Sequence, residues 1–304
     1  MKKLFVTTLA VAIAMTASVS FARNERGDWD YSGKHNVDDF RINNTKVTTT
    51  AAELNSLAKS GREDGMPMPW QVETGVSYTD TFVKWAVDDT TTNPLAWLYS
   101  SDSTGAALLQ AGTTGGVAKI SQGIADNDEV YIQLGAVSDE AFCMTTNSGK
   151  KFWYKARVQA TVTNEDCSYA LGMAEGGAAT GNFLTDNNGE LADVDFYGFN
   201  CRAGTNKNWN AVYRYAGSNA MYKLAVVANN EDWHEFEMYF DGLNLVKWYV
   251  DDSLVWTITN DTAPIAFPQG QETMPIFAAK AGATNPVSDL PGLNIDWVKI
   301  NQQL

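Results

Sequence analysis

Carboxylates give this 304-residue chain its most direct route to chemistry. Two groups stand at spacings that matter: Glu190-Leu-Ala-Asp193-Val-Asp195 and Glu235-Phe-Glu237. Two carboxyl groups on one face of a strand can serve as general acid and as base or nucleophile. In a regular strand Asp193 and Asp195 share a face and Glu190 lies opposite, while Glu235 and Glu237 take the outer parity of theirs. A solvated strand face is the better reading of both groups.

Other chemistries are poorly provided for. His35 and His234 are the only histidines, and their positions in an N-terminal arm and at a strand start do not suit a Ser-His-Asp triad. Neither G-x-x-x-x-G-K-[ST] nor G-x-G-x-x-G occurs, so nothing points to a nucleotide. Cys143, Cys167 and Cys201 are far apart, without a CxxC pair or a histidine cluster, which argues against zinc. They read as buried thiols at strand positions, with one disulfide open if the chain is exported. "DNNGE" gathers the oxygen ligands Asp186, Asn188 and Glu190 as calcium loops do, without EF-hand spacing. An ordinary turn is the competing reading, and calcium is the one cofactor the sequence allows. Trp209, Tyr213 and Tyr215 share one strand parity with Ala211 and could stack on a glycan if that face is exposed. Core packing is the better reading, because aromatic side chains mostly lie inside.

The elements that must position these groups are strands. In "WHEFEMYFDGLNLVKWYVDD" (233–252) Phe236, Met238 and Phe240 alternate with Glu235, Glu237 and Tyr239. After Asp241-Gly242, Val246, Trp248 and Val250 alternate with Lys247, Tyr249 and Asp251. A third run sets Leu254, Trp256 and Ile258 against Val255, Thr257 and Thr259. Period-two alternation punctuated by turn residues predicts an antiparallel meander with those nine apolar side chains on one face and the polar ones in water. So apolar a sheet needs a second layer. From about Trp70 to Leu304 the chain reads as strand and turn throughout, which predicts one all-β, two-sheet antiparallel jelly-roll sandwich over 70–304.

The N-terminal part differs. Lys2-Lys3, an apolar run from Leu4 to Met15 and Ser20-Phe21-Ala22 have the layout of a secretory signal peptide over 1–22, too short for a comfortable span. No other stretch could cross a bilayer, so no membrane span is expected in the mature chain. An arm follows over 23–69. Within it Thr50 and Glu53 form a capping box for a short helix over 50–59, whose stripe of Leu54, Leu57 and Ala58 suits attachment or self-association. "SGREDGMPMP" then breaks regular structure. The net charge of −14 becomes more negative once residues 1–22, with two lysines and no acid, are removed. Such a surface repels phosphates and anionic lipid, which excludes nucleic acid as a partner.

The stretch "EDWHEFEMYFDGLNLVKWYVDDSLVWTITN" and the closing "LNIDWVKI" resemble the concanavalin A-like jelly rolls, the fold of laminin-G domains, lectins and glucanases. The order "DEVYIQL" (128–134), "EAF" (140–142), "FWYKARV" (152–158), "GMA" (172–174) and "TNDTAP" (259–264) is similar to bacteriophage virion proteins on that fold. "VTTTAAELN" resembles a segment common in phage tail-fibre proteins. The glucanases of this fold carry E-x-D-x-E or E-x-D-x-x-E, and E-x-D occurs nowhere in this chain. The resemblance therefore implies a non-catalytic virion structural component: a capsid decoration, fibre or tail-associated protein that displays the jelly roll and adheres to glycan. Its expected partners are other virion or capsid proteins, copies of itself in a homo-oligomer such as a trimer, and cell-surface glycan. A secreted bacterial carbohydrate-binding protein, exported by its signal peptide, is the second reading. A glycoside hydrolase with an unusual acid pair is the third.

Overall fold

A computed structural model describes residues 41–42, 45–46, 75–82, 87–88, 97–101, 106–109, 116–123, 125, 127–135, 141–161, 167–180, 182–186, 189–203, 208–260, 267–282 and 292–304. The export segment 1–22, the helix over 50–59 with Leu54 and Leu57, and Asn188 lie outside the described residues. The chain divides into two units, Met1–Gln71 and Val72–Leu304. In the first, β1 (Arg41–Ile42) pairs antiparallel with β2 (Thr45–Lys46).

The second unit is a two-sheet sandwich. Its strands begin with β3 (Gly75–Asp80), β4 (Val87–Asp88), β5 (Trp97–Ser101), β6 (Ala106–Leu109), β7 (Ala118–Ser121) and β8 (Glu129–Leu134). They continue through β9 (Phe142–Thr145), β10 (Phe152–Ala160), β11 (Cys167–Ala174), β12 (Phe196–Cys201), β13 (Asn208–Arg214) and β14 (Met221–Ala228). The series closes with β15 (His234–Phe240), β16 (Leu245–Val250), β17 (Ser253–Thr259), β18 (Gln269–Ala281) and β19 (Gly292–Gln303). One sheet runs β17-β16-β15-β10-β19-β7-β6, with β3 also on β19. The other, here the cap-side sheet, runs β14-β13-β12-β11-β18-β8-β5-β4, with β9 also on β18. Ladders among the described residues are antiparallel except β4 with β5. The expected all-β jelly-roll sandwich is present.

The meander forms where alternation places it. Met238 pairs with Trp248, and Phe236, Met238, Phe240, Val246, Trp248, Val250 and Ile258 enter the core between the sheets. Asp251 and Asp252 both take positive φ (49° and 63°), as a two-residue type I′ hairpin turn requires. At the other turn, Asp241 Oδ1 accepts from the amides of Leu243, Asn244 and Leu245 at 2.8–3.0 Å. Gly242 there has φ +76°, and a Cβ would fall 2.5 Å from the Lys150 nitrogen, so no larger residue fits.

Two details depart from simple alternation. Trp248 pairs with Trp256 but Tyr249 with Leu254, so a bulge at Val255 reverses parity and leaves Leu254 52% exposed. Glu237, Tyr239 and Tyr249, expected in water, are buried on the opposite face. There the Tyr239 ring lies 5.5 Å from Trp153, and Lys155 reaches Glu235 at 2.7 Å, Asp252 at 3.0 Å and Glu237 at 3.5 Å. Long side chains from neighbouring strands cover one another and the charges pair, which removes solvent from a face that alternation assigned to it.

Candidate active site

The cap-side sheet leads to the Asp193 and Asp195 carboxylates through β12. Along β12, Tyr197, Phe199 and Cys201 enter the inter-sheet core, and Phe196 enters a second apolar cluster on the outer side. By strand alternation Gly198 and Asn200 share the outward parity with Phe196. That outer face is not open. The described residues between β11 and β12 (175–180, 182–186 and 189–194) fold back over it and pack Ala179, Phe183, Leu184 and Leu191 against Tyr131, Ala170, Ala278 and Phe196. Gly189 sits so close to β11 that a Cβ would meet Ser168 Oγ at 1.9 Å. Leu184 and Leu191 bridge to each other.

Charges and one amide fasten this cap. Lys280 of β18 is 2% exposed and donates to Glu129 at 2.8 Å, Asp186 at 2.7 Å, the Leu184 carbonyl at 2.9 Å and Asn182 at 2.5 Å. Gln133, also buried, donates to the Glu175 carbonyl (2.8 Å) and accepts from the Ala179 amide (3.2 Å). Arg202 pairs with Glu190 and lies 5.3 Å above the Tyr222 ring. Arg214 donates to the carbonyls of Leu191 and Ala192 and, at 2.6 Å, to Asp193.

The carboxylates gather where the cap re-enters β12. Asp193 is exposed and ion-paired with Arg214, whereas Asp195, two residues on, is 8% exposed. Asp195 accepts from the Ala216 amide at 2.6 Å. Both therefore address the turn that follows β13. Burial pushes the Asp195 carboxyl above its ordinary value and the Asp193 charge adds to this, while the Ala216 amide and Arg214 oppose it. Glu175, the residue after β11, donates its backbone amide to the Asp195 carbonyl at 3.1 Å. Beneath lie Tyr197 and Tyr213, whose phenols burial raises far above the usual range, with Asp195 contributing to both. The two acids thus sit in unlike surroundings, Asp193 exposed and ion-paired and Asp195 largely buried.

The residues singled out from sequence fare differently. Trp209 is 1% exposed and Tyr213 fully buried, both inside the inter-sheet core, so neither can stack on a glycan from outside. Tyr215 packs against that core and accepts from the Gln269 amide at 3.1 Å. The parity that unites them is the inward one. Asp186 and Glu190, expected as calcium ligands, instead pair with Lys280 and Arg202. Lys280 and its hydrogen bond hold the Asp186 carboxyl below its ordinary value. Among the described residues no three His, Cys, Asp or Glu side chains are grouped to hold a metal. Glu235 and Glu237 pair with Lys155. Cys167 and Cys201 are buried free thiols, and burial, with Cys167 beside it, pushes the Cys201 thiol up to about 12. Lys280, Arg202 and Arg214 were missed because a basic residue in a strand signals nothing until its partner loop is folded over it.

Residues 118–299 match the model of glycosyl hydrolases family 16, more than half of the chain. The chain belongs to that family. The family 16 membership corrects the expectation of a non-catalytic virion component and of a chain without enzymatic activity. That expectation rested on short motifs that specify the sandwich, which binders and hydrolases share, and on the missing E-x-D, which this chain lacks although it belongs to the family. No curated protein matches the chain. Among solved structures, an endo-1,3-β-glucanase from Streptomyces sioyaensis is 16% identical with a TM-score of 0.48, covering 78% of this chain and 99% of its own. The carbohydrate recognition domain of Emp47p is 13% identical with a TM-score of 0.48, covering 77% and 99%. The Bacillus licheniformis β-glucanase is 13% identical with a TM-score of 0.45, covering 76% and 100%. Of the two carboxylate groups singled out in the sequence, Glu235 and Glu237 lie along β15 and are paired with Lys155, whereas Asp193 and Asp195 stand just before β12.

Proposed function

We propose that this chain is a glycoside hydrolase in which Asp193 and Asp195 supply the acid–base pair. The family match over 118–299 carries the reading, and the contrast between the two carboxyl environments assigns the roles. Asp195, dry and with a raised pKa, is the proton donor to the leaving glycosidic oxygen. Asp193, exposed at the crest and paired with Arg214, is the carboxylate that attacks the anomeric carbon or activates water. Arg214 fixes the segment by binding two of its carbonyls as well as Asp193, which gives the pair a rigid support. The substrate class is β-glucan or a related polysaccharide, reached outside the cell through export by Met1–Ala22.

The test is release of reducing ends from a panel of β-glucans and related polysaccharides. Asp193→Asn and Asp195→Asn should each lower turnover by about 10²–10⁴-fold, the usual contribution of a positioned acid or base, with folding intact. No turnover by the wild type across the panel, or full activity in both variants, would overturn the assignment.

A further inference from the structure

Arg214 ends β13 directly opposite Phe196, the first residue of β12. That register brings two short stretches together: Asp193 and Asp195 just before β12, and Ala216-Gly217 just after Arg214. We propose that Arg214 is the positioning residue of the acid pair, holding Asp193 at the crest and setting the pH range over which Asp195 can donate its proton. This rests on the hydrolase reading above. The guanidinium donates to the Leu191 and Ala192 carbonyls and, at 2.6 Å, to Asp193. One planar fork thus ties a carboxylate to the backbone that carries it. Ala216 and Gly217 take φ of 55° and 67°, as a two-residue type I′ turn requires, and the Ser218 amide closes it on the Tyr215 carbonyl at 3.2 Å. The turn lies against both acids. Its Ala216 amide donates to Asp195 at 2.6 Å, and a Cβ on Gly217 would stand 3.8 Å from Asp193 Oδ1.

The Arg214 side chain is only 13% exposed, so water screens its charge weakly. A guanidinium also stays charged at every working pH. Burial raises the Asp195 pKa; the Ala216 amide and Arg214 act against this, and the Asp193 charge adds to it. The other titratable groups here are Tyr197 and Tyr213 beneath Asp195, Tyr215 beside them, and Glu175 after β11. Burial holds the Tyr197 and Tyr213 phenols far above their usual range, so both stay neutral while Asp195 titrates. Among charged side chains, Arg214 and Asp193 are the ones that act on the donor, in opposite directions. Loss of the first must raise Asp195, and loss of the second must lower it.

The full chain is compared with Arg214→Gln, Arg214→Lys and Asp193→Asn by two readouts. The first is the titration of the Asp195 carboxyl by carbon NMR, its signal identified by its disappearance in Asp195→Asn. The midpoint should move up in Arg214→Gln, stay near the wild-type value in Arg214→Lys, which keeps the charge, and move down in Asp193→Asn. Asp193 is 76% exposed, so Asp193→Asn should fold and decides the matter if Arg214→Gln does not fold. The second readout is the pH dependence of kcat/KM on a hydrolysed polysaccharide, whose alkaline limb reports the proton donor. That limb should shift to higher pH in Arg214→Gln, with turnover at the optimum lowered by less than the ~10²-fold that loss of an acid costs. Arg214→Lys should bring the limb back. An unmoved or lowered midpoint in folded Arg214→Gln, or an unmoved or raised one in Asp193→Asn, would overturn the inference. Shifted midpoints in a chain that hydrolyses nothing would remove the hydrolase reading and leave Arg214 as the charge that tunes Asp195.

Discussion

Asp195, the proton donor of the proposed reaction, is a carboxyl whose ionisation the fold disfavours. Its pKa is raised by folding, so its contribution to the folded state is most favourable below the ordinary carboxylate range and declines as pH climbs through the raised value. Asp195→Asn removes the charge while keeping an oxygen to accept from Ala216. The unfolding midpoint at neutral pH should stay level or rise even as turnover collapses, and a clear fall in the midpoint would show the charge to be structural. Lys280 behaves oppositely. Its ammonium is almost fully buried with four acceptors, so Lys280→Met should cost about 3 kcal/mol by leaving Glu129 and the Leu184 carbonyl without their cation. Lys280 lowers the Asp186 pKa, so the stability from this pair is complete above the ordinary carboxylate range and lost as pH falls through the lowered value. Denaturant midpoints measured across acid pH should show that loss in the wild type and not in the variant.

At the scale of elements the meander turns on one bulge. Trp248 and Leu254 were assigned to the same face by alternation, yet Trp248 is fully buried and Leu254 is 52% exposed. Trp248→Ala should therefore cost about 3–5 kcal/mol through lost transfer energy and a cavity against Tyr213 and Trp256. Leu254→Ala should change stability by less than ~0.5 kcal/mol. Urea melts of the two variants decide the matter, and equal effects would mean the register after Val255 is wrong.

On the scale of the whole molecule, Val72–Leu304 makes one compact unit. β3 pairs with β19 from Gly75 to Asp80, so a truncation that keeps residue 72 onward retains every ladder of the two sheets. The chain from 72 to 304 should unfold cooperatively with a midpoint close to that of the full chain. Calorimetry on the two proteins tests this, and a broad or strongly lowered transition in the shorter one would place part of the sandwich's stability in residues 1–71.

The sandwich was legible in the sequence because its signal is local. Alternation at Phe236–Phe240 and Val246–Val250 needs only the two-residue repeat of a strand, and Asp241-Gly242 and Asp251-Asp252 mark turns by their own backbone preferences. Alternation cannot say which of two parities is inside, so for Trp209 and Tyr213 a platform stayed open beside the better reading of core. It also cannot register an inserted residue, so the bulge at Val255 went unseen. The site was less legible still. Asp193 and Asp195 stood out as an acid pair, but their unlike environments come from Arg214 and Ala216, about twenty residues further along the chain. Asp186 and Glu190 looked like metal ligands because their cations, Lys280 and Arg202, come from β18 and the end of β12. Local periodicity determined the layers, whereas burial and ion pairing between distant strands, which only the folded chain brings together, decided the surroundings of each acid.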